Sequence, residues 1–286
     1  MGVVGDVGEV VDTGRYPILD AGGSVWEGLV GRVRDDLRRL GCSVLTGFVR
    51  PELHETLRRE GAEIAPAAYY EGVTVNVYNV DADTLPDGHP GRIPMERGNA
   101  FVARDRIPAD ALVEHLYTSP TLQRFVAACF GLPEIHPLAD PLAGLCLNVV
   151  PPGREHPWHF DTNELAVSIL TQEPERGGVF EHCPGIRSPE DENLGDVRGV
   201  LDGRRDDLVR RLTLRPGDLQ LFKGRFSLHR VTRVQGETAR HSAIFAYSEQ
   251  PGVVGSIART RQLFGRVLPE HLQAADAAVR GDRLLD

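Results

Sequence analysis

The rhythm of hydrophobic positions changes near the middle of the chain. In the first half, apolar residues recur mostly at helical spacing. Val25, Leu29, Val33, Leu37 and Leu40 share one face of a helix that Ser24 can cap and Gly41 can stop. Residues 43–48 read as a short strand, Pro51 opens a second helix to residue 60, and residues 73–80 alternate as a half-buried strand does. The Pro, Gly and Asp content of 81–98 predicts a long loop, the kind of segment a scaffold frees to cover a site. Two further helices are expected over 109–117 and 119–130.

After Pro141 the pattern becomes short strands separated by turns, over 145–150, 158–160, 165–171, 178–182, 212–214, 218–222, 228–234 and 240–247. Many short strands with Pro-Gly punctuation predict a sandwich or barrel, and eight is the jelly-roll number. The charged insertion 188–207, with Gly195, Gly199 and Gly203, is expected on the surface beside the mouth of a site. Residues 1–12 lack the basic start and apolar stretch of a signal peptide and read as a loose tail.

Composition narrows the function classes. With 286 residues, 41% hydrophobic and 26% charged, the chain can bury a core and is not disordered. We expect a single domain over 1–286: a jelly-roll core about 140–250, helical support about 24–130, and a C-terminal lid or tail over 251–286. A formal charge of −9 argues against nucleic acid and anionic membranes as partners. No apolar run approaches the roughly 18 residues of a membrane span. Cys42, Cys129, Cys146 and Cys183 lie far apart, with no C-x-x-C spacing, so buried free thiols and a reducing, cytoplasmic setting are expected.

The chemistry concentrates in His156-Pro-Trp-His159-Phe-Asp161. Alternate residues of a strand share a face, so His159 and Asp161 can hold one ion together. His229, on a later strand in Arg225-Phe-Ser-Leu-His-Arg-Val, supplies a third ligand. Two imidazoles and a carboxylate with open positions opposite form the facial arrangement of non-haem Fe(II) oxygenases. Arg240 and Ser242 also share a parity, so a guanidinium and a hydroxyl can face one bound carboxylate. His241 has the opposite parity and should face away. His54, His89, His115, His136, His182 and His271 have no partner at ligand spacing and read as structural or solvated. Asp35-Asp36, Asp206-Asp207 and Glu190-Asp-Glu read as solvated charge. No G-x-S-x-G elbow, Walker loop or strand-anchored G-x-G-x-x-G is present, which removes the main support for hydrolase and nucleotide-binding readings.

This constellation resembles the Fe(II)/2-oxoglutarate-dependent dioxygenases over roughly residues 145–247. More closely, His156-x-x-His159-Phe-Asp161, Glu164-Leu-Ala-Val, Gln172-x-Pro-Glu-x-Gly-Gly, Phe180-Glu, and Pro216-Gly-Asp-Leu through Leu228-His-Arg-Val-Thr resemble the BesD-type group of amino-acid halogenases and their hydroxylating sister enzymes. The halogenases replace the metal-binding carboxylate with Gly to admit chloride, whereas this chain has Asp161, so the resemblance implies hydroxylation. It further implies an α+β, mainly β, double-stranded β-helix (a cupin-like jelly roll) with N-terminal helices packed on its outer sheet. His159, Asp161 and His229 would bind Fe(II), Arg240 and Ser242 the far carboxylate of 2-oxoglutarate, and O2 the last metal position. Succinate and CO2 would be co-products of hydroxylating an unactivated C–H bond in a free amino acid or similar small polar metabolite, within a biosynthetic pathway.

His156 and Thr162 match substrate-contacting positions of that group. Arg97 or Arg104, near the long loop, could take an amino acid's α-carboxylate. The arginines of 259–266 could close over anionic groups as a lid. Desaturation or ring closure with the same iron site stays open, as does modification of a protein-bound residue. A non-catalytic metal- or sugar-binding module is the alternative from another class. The oligomeric state is open, a homodimer included.

Overall fold

The protein is described by a computed structural model over residues 6–163, 165–274 and 284–285. Glu164 and part of the expected C-terminal tail lie outside these residues. Four helices form the N-terminal support: α1 (Ser24–Leu40), α2 (His54–Ile64), α3 (Leu112–Thr118) and α4 (Pro120–Phe130). Helix α1 begins one residue earlier than a Ser24 cap requires. Gly23 occupies the cap position, and its carbonyl accepts the Glu27 N–H at 2.9 Å. Gly41 ends the helix with a left-handed φ of 64°, as expected. Ser119 caps α4 by accepting the Leu122 N–H at 3.3 Å.

Ten strands of three or more residues build the two main sheets among the described residues: β1 (Cys42–Leu45), β2 (Ala100–Val102), β3 (Leu145–Val150), β4 (His156–His159), β5 (Ala166–Gln172), β6 (Phe180–Cys183), β7 (Arg210–Leu212), β8 (Leu219–Phe222), β9 (Leu228–Val231) and β10 (Arg240–Ser248). The large sheet runs β1-β8-β5-β10-β3-β2, with His136–Pro137 adding to β10, and the small sheet runs β7-β6-β9-β4. All these pairings are antiparallel. From β3 to β10 the chain passes back and forth between the two sheets, which is the winding of a double-stranded β-helix. The expected α+β, mainly β jelly roll is therefore the fold observed.

Burial explains why the helices lie where they do. Val30, Val33 and Leu37 of α1 and Phe125 and Val126 of α4 join Leu45, Ile169 and Leu221 of the large sheet in one apolar cluster. Burying each such side chain contributes roughly 1.5–3 kcal/mol. All four cysteines are free and buried. No described helix is long and apolar enough to cross a membrane.

Three expectations are corrected. Residues 73–80 are not one strand: only Thr74–Val75 pairs, with Met95–Glu96. The Asn76 side chain accepts the N–H groups of Tyr78 (3.1 Å) and Val80 (3.3 Å), bending the backbone away from a ladder. The N-terminal stretch is not loose from residue 6 onward. Asp6 caps a single turn, Val7–Val10, and Val7, Val10 and Val11 are buried. Finally, the insertion 188–207 is not merely surface. Helix α5 (Leu194–Leu201) buries Val197 and Val200 against Trp158, Phe160 and Leu228, covering the outside of the small sheet rather than the mouth of a site.

Candidate active site

His159 and His229 are direct partners across β4 and β9, so two neighbouring antiparallel strands bring their rings to 4.1 Å between centroids. Asp161 lies just beyond β4, where its N–H donates to the Gly224 carbonyl at 3.1 Å. Its Oδ1 is 3.8 Å from His159 Nε2 and 3.5 Å from His229 Nε2, and the three donor atoms lie within 4.8 Å of one another. The opposite edge of each imidazole is tied down. His159 Nδ1 is 2.8 Å from the Pro157 carbonyl and His229 Nδ1 is 3.0 Å from that of Ser227. With Nδ1–H donating to these carbonyls, Nε2 keeps its lone pair for a cation.

The electrostatics agree with a ligand role. Burial, then the neighbouring His156 and His229 rings, hold His159 well below the ordinary histidine range, so it is neutral. Burial works to raise the Asp161 carboxyl, but the charge and hydrogen bond of His229 outweigh it and keep the group low. Two imidazoles and one carboxylate on a single face fit Fe(II).

Arg240 and Ser242 come from β10 in the large sheet and line the same cavity, of about 450 Å³. Arg240 Nη1 donates to Ser242 Oγ at 2.5 Å. Burial pushes Arg240 down to about 10, which leaves it charged at neutral pH. It is only 4% exposed, and no carboxylate of the described residues pairs with it. A buried cation without a counter-charge is costly, and a guanidinium beside a hydroxyl suits an anion in the cavity.

A family model described as halogenase D matches residues 87–261, more than half of the chain. The chain belongs to the halogenase D family. A search of curated proteins found no match. Among solved structures it is similar to a carbocyclase, SnoK, from nogalamycin biosynthesis (TM-score 0.53, 16% identity, covering 80% of this chain and 89% of that one). It is also similar to the epimerase SnoN in complex with Fe3+, α-ketoglutarate and nogalamycin RO (TM-score 0.52, 16% identity, 77% and 84% covered). A third similar structure is a 2OG-Fe(II) oxygenase family protein from Burkholderia pseudomallei (TM-score 0.50, 17% identity, 82% and 94% covered). At these identities the likeness is one of fold.

In this halogenase D family member the other expected site residues separate. His156 lines the cavity and stacks on His159 at 3.9 Å between centroids, and Thr162 also lines it. Arg97 is 3% exposed and lies just outside the cavity wall. Its Nη2 donates to the Gln262 carbonyl at 2.9 Å, while Nε and Nη1 are buried without a hydrogen-bond partner. Arg104 does not reach the cavity. It pairs with Glu114 at 2.5 Å and lies over the Tyr117 ring, so its charge is already used. His241 faces away from the cavity, as its parity requires, and sits beside Gly61 of α2.

Asn148 escaped the sequence reading, whereas Arg259 lies in the segment expected to close over the site. Asn148 of β3 pairs in register with Ser242 and accepts from Asn99 Nδ2 at 2.8 Å. Its signal was a polar residue at an inward position of an apolar strand. Thr260, Leu263 and Phe264 of α6 (Ile257–Phe264), with Arg259, close one side. The base of α6 is held by Asp140, which accepts the Gly255 N–H at 2.9 Å and pairs with His271 of α7 (Pro269–Gln273) at 3.2 Å. Burial, then the charges of His229, Arg259, Arg97 and Arg240, hold the His156 imidazole well below the ordinary histidine range.

Proposed function

We propose that this chain is an Fe(II)/2-oxoglutarate-dependent oxygenase that hydroxylates an unactivated C–H bond of a free amino acid or similarly small polar metabolite. One observation carries the reading: an Asp161, His159 and His229 cluster with free Nε2 atoms shares a cavity with a buried Arg240–Ser242 fork that has no acidic partner among the described residues. Bound Fe(II), with 2-oxoglutarate and O2, supplies the oxidising power, releasing succinate and CO2 and placing one oxygen atom in the substrate.

The chain's own residues bind and orient. Arg240 and Ser242 take the far carboxylate of the keto acid, which leaves its other end directed at the metal ligands. His156 and Thr162, at the cavity wall, are the candidates for substrate contact, and Arg97, just outside that wall, adds positive charge behind His156 for a substrate α-carboxylate. Helix α6 lines one side of the cavity with Arg259, Thr260, Leu263 and Phe264. A cavity of about 450 Å³ suits a small metabolite better than a protein-bound residue, which needs an open groove.

Of the two outcomes that the BesD-type resemblance offers, Asp161 supports hydroxylation. Its carboxylate fills the metal position that a halide needs, so oxygen transfer is favoured over halogenation. The similarity to a carbocyclase and an epimerase supports a second reading, the same iron chemistry ending in ring closure, desaturation or inversion. The test is succinate formation across an amino-acid panel with Fe(II), 2-oxoglutarate and O2, with the product mass recorded. A gain of one oxygen supports hydroxylation, whereas a loss of two hydrogens (ring closure or desaturation) or an unchanged mass with inverted configuration supports the second reading. Keto-acid turnover that no amino acid raises contradicts the substrate assignment.

A further inference from the structure

The loop that joins β8 to β9 passes directly behind the Asp161 carboxylate. A Cβ built on Gly224 would lie 1.8 Å from Asp161 Oδ2, 2.6 Å from its Cγ and 2.8 Å from its Cβ, and these are its three nearest heavy atoms. Gly224 is not among the residues with positive φ. Its backbone is therefore open to any L-residue, and conformation does not account for the glycine. Close approach does: the Asp161 side chain occupies the volume a methyl group would take, while the Asp161 N–H holds the Gly224 carbonyl. Nothing in the sequence pointed to this residue, because the two loops meet only in the folded chain.

We infer that Gly224 is a positioning residue for the metal centre, and that its missing side chain sets the size of the third ligand position. This rests on the metal reading of His159, Asp161 and His229. An alanine at 224 displaces the carboxylate from the two imidazoles. Where Asp161 is itself reduced to glycine, the vacated volume accepts a small anion as a replacement ligand, and an alanine at 224 fills that volume instead.

The experiment titrates Co(II), a spectroscopic stand-in for Fe(II), into the full-length wild type, Gly224→Ala, Asp161→Gly and the double variant, each with and without formate. Wild-type binding with a ligand-field spectrum is the baseline, and its absence overturns the metal reading itself. Gly224→Ala is expected to bind Co(II) about 10–100-fold more weakly, the range for loss of a group that orients a ligand. Formate is expected to tighten binding and change the spectrum of Asp161→Gly but not of the double variant. Wild-type affinity in Gly224→Ala, or an equal formate response in the double variant and Asp161→Gly, overturns the inference. If Gly224→Ala fails to fold, recovery of folding in the double variant supports it. Failure of both overturns it, since the glycine then serves the backbone alone.

Discussion

The two sheets face one cavity and bring different chemistry to it. The small sheet supplies His159 and His229 from four-residue strands, at a point where the register of β4 and β9 shifts between His229 and Val231. Its outer face carries charge: Glu181 is held by Arg211 and Arg230, each at 2.7 Å. The large sheet supplies Arg240 and Ser242 from the nine-residue β10, and its other face is sealed under α1, α2 and α4. The proposed metal ligands thus depend on local aim, through the carbonyls of Pro157 and Ser227, whereas the proposed anion fork depends on a deeply buried support. The two halves of the site should therefore fail separately.

The largest effect is expected for His229→Ala, which removes a ligand from the small sheet. Co(II) binding and succinate formation should both fall to background, with the fold retained by circular dichroism. Arg240→Gln should act on the other half alone. Truncating a buried charge partner costs about 2–5 kcal/mol, so 2-oxoglutarate affinity should drop at least about 30-fold while Co(II) affinity stays within about twofold. Equal loss of both affinities in Arg240→Gln would break the comparison.

Stability should divide in the same way. Ile169, fully buried in the large sheet, should cost about 2–5 kcal/mol as Ile169→Ala in a denaturant titration, with metal affinity unchanged. His241, on the sealed face of β10, gives that sheet a pH dependence. Burial, then Arg240, pushes it down to about 4 from an ordinary value of 6.5, and its Nδ1 has no hydrogen-bond partner. As pH falls between those values the unfolded chain takes up a proton before the folded one, so stability drops by up to about 3 kcal/mol. His241→Gln should lose that much less between pH 7 and pH 4. The smallest effect is expected for Glu181→Ala on the small sheet, about 1 kcal/mol, because the cations it leaves behind can be solvated.

Much of the jelly roll could be read from local patterning. Leu145–Val150 is an apolar run that Pro151-Pro152-Gly153 ends, and the strand has those bounds. Strand parity also places Arg240 and Ser242 on one face and His241 on the other, as found. What patterning missed were contacts between remote segments or side chains competing with the backbone. Asn76 diverted the expected strand of 73–80, and Glu114 claimed Arg104. The apolar residues of Val7–Val10 looked like tail until a surface existed for them to cover. Gly224 carries no signal of its own, since its role comes from the Asp161 carboxylate behind which it passes.

The most direct test of the central claim is anaerobic addition of Fe(II) and 2-oxoglutarate to the purified protein, followed by absorption spectroscopy. The account predicts a visible charge-transfer band that requires both components, disappears in His229→Ala and needs far more 2-oxoglutarate in Arg240→Gln. A wild-type protein that shows no such band at saturating Fe(II) and keto acid would contradict it.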